Sequence, residues 1–139
     1  MGPSSSEDDQ VAVFVGTTGD EIRTTGVFID VNNNIYGHGA KIKEIDTTTY
    51  TVDESDNGKI LHFRNASGCL IDLPGSEEPY VSNIQFVAIQ YGAGAITFQE
   101  TPSSVIRARD DLLTSGGQYA AMSAYKENST DWVVIGGEV

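Results

Sequence analysis

The chain has 139 residues, 39% of them hydrophobic, and carries 20 acidic against 8 basic side chains for a formal net charge of −12. That length fits one domain, or one domain with an arm, and is enough to bury a core without disulfides or metals. The charge excludes nucleic acid as an expected partner, because phosphate binding needs concentrated Lys and Arg.

No run of about 18 apolar residues is present, so no membrane-spanning helix is expected. Met1–Asp9 is polar and acidic and lacks the basic and apolar segments of a secretory leader. It reads as an arm that orders only against a partner.

Short apolar runs follow. They are Val11–Val15, Glu21–Arg23, Val27–Val31 and Ile35–Gly37, broken by Gly16–Asp20, Thr24–Gly26 and Asn32–Asn34. Each is too short to stand as a sheet alone. They are expected to be ribbons lying on another surface, and Val11, Val13, Phe14, Ile22, Val27, Phe28 and Ile29 are the candidate partner contacts. Lys41–Ile45 is a strand or a linker into the main module.

The main module runs from Thr49 to Val139. Tyr50–Val52, Lys59–Arg64, Cys69–Leu73, Ile84–Tyr91 and Ala95–Phe98 are β-type runs separated by Gly, Asn, Asp and Pro. Ile84, Phe86 and Ala88 fall on one face of a central strand, with Val87, Ile89 and Tyr91 on the other. Gly92-Ala93-Gly94 is expected to turn a hairpin. Val105–Arg107 is short, and Asp110–Leu113 is a strand or a single helical turn. Tyr119–Tyr125 and Trp132–Ile135 form a last hairpin. Helical periodicity never lasts the ~11 residues that a helix requires. The expected fold is all-β. It is a compact antiparallel β-sandwich or barrel-like domain over 49–139, preceded by an extended N-terminal arm with short strands over 1–48.

The chemistry-bearing motifs fail one by one. Asp53–Gly58 resembles the start of a calcium loop, but its twelfth position is Arg64 where a bidentate Glu is needed. Gly92-Ala93-Gly94 lacks the third glycine and the helix of a dinucleotide site. The acidic pairs Asp8-Asp9, Asp53-Glu54, Glu77-Glu78 and Asp110-Asp111 read as solvated turns, since neighbours on a strand would point to opposite faces and do not by themselves build a glycosidase dyad. Cys69 is the single cysteine, read as a buried thiol without a histidine partner. Trp132 is read as a core anchor. No catalytic, cofactor or metal residues are assigned, and the chain is not expected to be an enzyme.

The order Tyr50-Thr51-Val52, Asp56-Asn57-Gly58-Lys59, Phe63-Arg64-Asn65-Ala66-Ser67, Leu73-Pro74, Gly92–Phe98 and Trp132–Gly137 resembles the small β domain of tailed-bacteriophage virion proteins. These are capsid decoration proteins, head fibres and the C-terminal domains of tail fibres. Val11–Val15 through Asp30 is similar to a segment that precedes such domains. The resemblance implies a homotrimer and a virion structural protein. With no long shaft in the sequence, it favours a capsid decoration (cement) protein on the capsid exterior, made in the host cytoplasm and bound to the major capsid protein. The alternative is a receptor-binding fibre tip recognising a host surface glycan, for which an exposed cluster drawn from Tyr36, Tyr80 and Tyr119 would speak.

Overall fold

The computed structural model describes residues 10–15, 21–29, 35–36, 40–76 and 84–138, the first three segments by their backbone. Every element of more than three residues is a strand, so the all-β expectation holds. The chain divides into two compact units, Met1–Gly39 and Ala40–Val139. The second unit begins at Ala40 and includes the strand Ile42–Ile45.

The first unit is an antiparallel three-stranded sheet of β1 (Gln10–Val15), β2 (Glu21–Ile29) and β3 (Ile35–Tyr36). Phe14 pairs with Ile22, Phe28 with Tyr36, and Ile29 with Ile35. The expected break at Thr24–Gly26 does not occur. β2 continues through it, as β-branched threonines allow.

The second unit alternates its strands between two sheets. β4 (Ile42–Ile45), β6 (Ile60–Phe63), β8 (Gln85–Gln90) and β10 (Val105–Ala108) belong to a six-stranded sheet. β5 (Thr49–Thr51), β7 (Cys69–Leu73) and β9 (Ile96–Glu100) form a three-stranded sheet. β4, β6 and β8 pair in parallel, and so do β5, β7 and β9. The chain therefore coils. Each circuit crosses from the large sheet to the small one and stacks on the circuit before it.

A hairpin of β11 (Ala121–Lys126) and β12 (Asp131–Ile135) completes the large sheet, giving the order β10-β12-β11-β8-β6-β4. β11 is antiparallel to β8 and to β12, whereas β10 is parallel to β12. In this sheet β11 runs against its five companions.

The antiparallel expectation is corrected here, except at β11, which is antiparallel to both of its neighbours. Period-two patterning reports which face a residue occupies, not the direction of its neighbour. Gly92-Ala93-Gly94 is likewise not a hairpin turn. It carries the chain from β8 in one sheet to β9 in the other. Glycine is required there for a different reason. The corner lies on the preceding corner, Asn65–Gly68, and a Cβ at Gly94 would overlap the backbone nitrogen of Gly68. Backbone bonds lock the stack, with Cys69 N–H donating to Ala95 O at 3.0 Å and Gly92 N–H to Phe63 O at 2.8 Å. Asn65 adds a link to the circuit below, its Nδ2 donating to Asp46 O at 3.3 Å.

The alternating inward residues of both sheets share one core. Leu61, Phe63, Phe86, Ala88, Met122, Ala124, Trp132 and Val134 come from the large sheet, and Cys69, Ile71, Leu73, Ile96 and Phe98 from the small one. Phe86 meets Phe98 and Trp132 edge-on, with centroids 6.0 and 6.3 Å apart. Trp132 is fully buried, and its Nε1–H donates to Pro74 O at 2.9 Å. It is the core anchor expected from the sequence.

The Asp53–Gly58 segment is a capped 3-10 turn, Glu54–Asp56, in which Asp53 accepts from Ser55 N–H at 2.7 Å. Asp56 is fully buried. It accepts from Lys43 Nζ at 2.7 Å, Tyr50 Oη at 2.6 Å and Asp53 N–H at 3.0 Å. Burial works against the Lys43 cation, yet its bonds to Asp56 and Tyr50 outweigh that and raise its pKa. Burial, reinforced by Asp56, also raises that of the Tyr50 phenol. This triad fixes the first circuit.

Two substitutions separate the kinds of glycine. Gly94→Ala is expected to cost about 3 kcal/mol by overpacking, whereas Gly58→Ala, at φ 73° with open space around it, costs about 1 kcal/mol of backbone strain. Chemical denaturation checks both, and equal losses would contradict the stacked-corner account. Asp56→Ala leaves the Tyr50 hydroxyl and Asp53 N–H without their acceptor and is expected to cost roughly 3 kcal/mol in the same assay.

Candidate interaction surface

The two sheets present contrasting outer faces. On the small sheet, Thr51 Oγ1 donates to Asp72 at 3.3 Å, Gln99 Nε2 also donates to Asp72, and Thr97 and Thr114 hydroxyls lie 3.0 Å apart. That face is a hydrogen-bonded polar ladder, with Leu70 as its exposed apolar member.

The large sheet is different. Its register aligns Ile42, Ile60, Val87, Ser123 and Ile135 across five neighbouring strands, all on the side away from the core. Ile42 and Ile135 are each 57% exposed, and Val105 and Tyr125 are exposed as well. Ala40, Ile60, Val87 and Tyr125 line a groove of about 390 Å³ on this side. This aliphatic row, interrupted by Ser123, makes the outer face of the large sheet the candidate interaction surface. The sequence signal for it is a central strand apolar on both faces, as Val87 and Ile89 show.

At one end of this sheet the chain builds an aromatic cluster. Tyr91, the residue after β8, stacks on His62 at 4.9 Å with 19° between the rings. Arg64 lies 4.3 Å from the Tyr91 ring centroid. Tyr119 meets Tyr91 edge-on at 5.6 Å. Arg64 donates to Glu44 through both Nε and Nη2, the latter at 2.8 Å. That hydrogen bond is the main reason the Glu44 carboxyl is held below the usual carboxylate range.

Gln90 precedes Tyr91 in the chain and holds Tyr119. It is 2% exposed. Its side chain accepts from Ser115 Oγ at 2.6 Å and donates to Ala93 O at 3.2 Å, while its carbonyl accepts from Tyr119 N–H at 2.6 Å. Gln118 Nε2 donates to Tyr91 O at 3.0 Å. Tyr119 itself adopts φ 69° and is 66% exposed. A side chain in the left-handed region costs roughly 1–2 kcal/mol, and an exposed ring does not recover this by burial. A strained angle of this kind makes Tyr119 a candidate functional residue.

The candidate contacts Val11, Val13 and Phe14 lie on β1, and Ile22, Val27, Phe28 and Ile29 on β2, so one sheet gathers them. Their side chains lie outside the described part of the structure. Tyr36 sits on β3 of the first unit and Tyr80 lies outside the described residues. Tyr119 meets Tyr91 within the second unit.

Among the described residues, no group of three or more His, Cys, Asp or Glu could hold a metal ion, and no helix is long and apolar enough to cross a membrane. Asp110 and Asp111 lie in a tight turn with left-handed backbone angles, and Asp110 pairs with Arg109 at 3.3 Å. Cys69 is buried, its thiol donating to Leu70 O at 3.5 Å. Burial first, and the Asp72 carboxylate second, push this thiol up to about 11.

A comparison with protein families finds no family model that matches the chain.

With so little thiolate at pH 8, Cys69 in the folded protein is expected to react with a maleimide roughly a hundred-fold slower than a free cysteine. The normal rate should return in guanidinium. Fast labelling of the native protein would contradict the buried placement.

Proposed function

We propose that the chain is a bacteriophage virion structural protein, a capsid decoration protein that binds the outer shell as a trimer and stabilises it. The observation that carries the assembly part is the aliphatic row Ile42, Ile60, Val87 and Ile135 on the outside of the large sheet. Leaving such a row in water wastes about 25 cal/mol per Å² that a partner surface would recover. The virion setting and the number three come from the sequence resemblance. The two sheets closed on one core are read as the sandwich-like body of that family.

In this reading the body self-associates, and the first unit, with Val11, Val13, Phe14, Ile22, Val27, Phe28 and Ile29, attaches to the major capsid protein. The protein binds the assembled shell and not its separated subunits, so mass action favours the shell. The net charge of −12 keeps decorated particles apart in solution.

Native mass spectrometry of the full chain is expected to show a trimer at micromolar concentration, and a monomer there would sink the self-association. Ile60→Glu with Ile135→Glu should give a monomer with an unchanged circular dichroism spectrum. The wild-type chain should pellet with expanded capsids, and a chain starting at Ala40 should not. Absence of wild-type pelleting would count against the capsid setting.

A further inference from the structure

The β11–β12 hairpin occupies a slot inside the large sheet, walled by β8 on one side and β10 on the other. The contacts that hold it cross these walls. Met122, Ala124, Trp132 and Val134 bury their side chains in the core. Trp132 Nε1–H and Lys126 Nζ donate to Pro74 O, at 2.9 and 3.1 Å. With the hairpin out, β8 and β10 each present an unpaired edge toward the slot, and such edges accept a matching strand from any chain. A second copy of this chain carries the hairpin that matches.

The link into the hairpin is short and strained. Ser115 is fixed to β9 of the small sheet, its N–H donating to Ile96 O at 2.9 Å, and β11 begins at Ala121. Between them lies Gly116-Gly117-Gln118-Tyr119-Ala120. Gly117 sits at φ 155° and Tyr119 at φ 69°, in a turn closed by Ala120 N–H donating to Gly117 O at 2.9 Å. Straightened, these five residues span about 17 Å, which hands the hairpin to a neighbouring copy and lets the left-handed angle at Tyr119 relax. Opening gives up the turn bond. The bonds from Tyr119 N–H to Gln90 O and from Gln118 to Tyr91 O end on β8 or just past it, and a second copy offers the same acceptors. The hairpin's contacts are alike in either slot, so the link and the entropy of association decide between them. A short hinge under strain tips that balance toward exchange.

We infer that the β11–β12 hairpin is exchanged between copies of this chain, residues 121–135 of one copy filling the slot between β8 and β10 of another through an opened Gly116–Ala120 link. The exchange does not rest on the assembly reading. It uses the core side of the sheet, whereas that reading uses the outer face, so either can fail alone.

Refolding the full chain at millimolar and at micromolar concentration tests it, in a variant with Ala88→Cys, Met122→Cys and Cys69→Ala. Ala88 and Met122 are paired inside the core, where surface association cannot bring the thiols of two chains together. Millimolar refolding is expected to give disulfides between chains, read as a covalent dimer or larger species on a non-reducing denaturing gel. Micromolar refolding should give the intrachain disulfide. Adding Tyr119→Gly should lower the exchanged fraction about tenfold with an unchanged circular dichroism spectrum. Intrachain disulfides alone at millimolar concentration would overturn the inference, and so would an exchanged fraction that Tyr119→Gly leaves as it was. The Ile60→Glu, Ile135→Glu chain gives a second reading that needs no cysteines and blocks the outer face. Refolded at millimolar concentration, it should hold an oligomer that survives dilution for hours, because return requires the hairpin to leave the core. A monomer there, or an oligomer that dissociates at once, would equally overturn the exchange.

Discussion

The body depends on one close approach of backbone to backbone. Where the chain leaves β8 at Gly92–Gly94, it lies directly on the corner that leaves β6, with no room for a Cβ between Gly94 and Gly68. That contact sets the spacing of successive circuits. It lets Cys69 N–H reach Ala95 O and Gly92 N–H reach Phe63 O. Both sheets inherit their parallel register from it, since β6–β8 and β7–β9 are the strands on either side of the stacked corners. The core follows, because a fixed register decides which side chains meet inside.

The same corner also sets the surface. Gln90 must be buried to hold Ala93 and Ser115, so the next residue, Tyr91, faces out beside His62 and Arg64. These last two alternate with buried Leu61 and Phe63 on β6. An arrangement forced by packing thus delivers an aromatic and an ion pair to one place. The contrast between the two outer faces arises similarly. β5, β7 and β9 place Thr, Asp and Gln outside, whereas β4, β6 and β8 place Ile and Val there.

Strand positions and burial were largely legible in the sequence. Period-two alternation located the inward residues of β8 and the anchoring role of Trp132, and the glycines and Pro74 marked the breaks. Strand direction was not legible, because a glycine-rich hairpin turn and a glycine-rich corner have the same composition. Only the neighbour on which the corner rests tells them apart, and Gly68 is far from Gly94 in sequence. Tyr91 was placed on the correct face, yet its meeting with Tyr119 depends on a pairing of β8 with β11 that no local pattern encodes. Asp56 looked like a loop carboxylate in Asp53–Gly58. Its burial follows from Lys43 and Tyr50 arriving on β4 and β5.

The reversed strand β11 has a consequence for how the molecule is made. β10 follows β9 in the chain, but its partner in the large sheet is β12, which is synthesised later. Between β8 and β10 there is a gap the width of two strands until residues 121–135 arrive to fill it. The large sheet therefore cannot close before this hairpin has been made. The hairpin of β11 and β12 enters the interior of the sheet, not its rim, and brings Trp132 into the core with it. Folding must wait for this long-range step, and a nascent chain cut short by even its last hairpin loses the centre of the sheet and the largest side chain of its core.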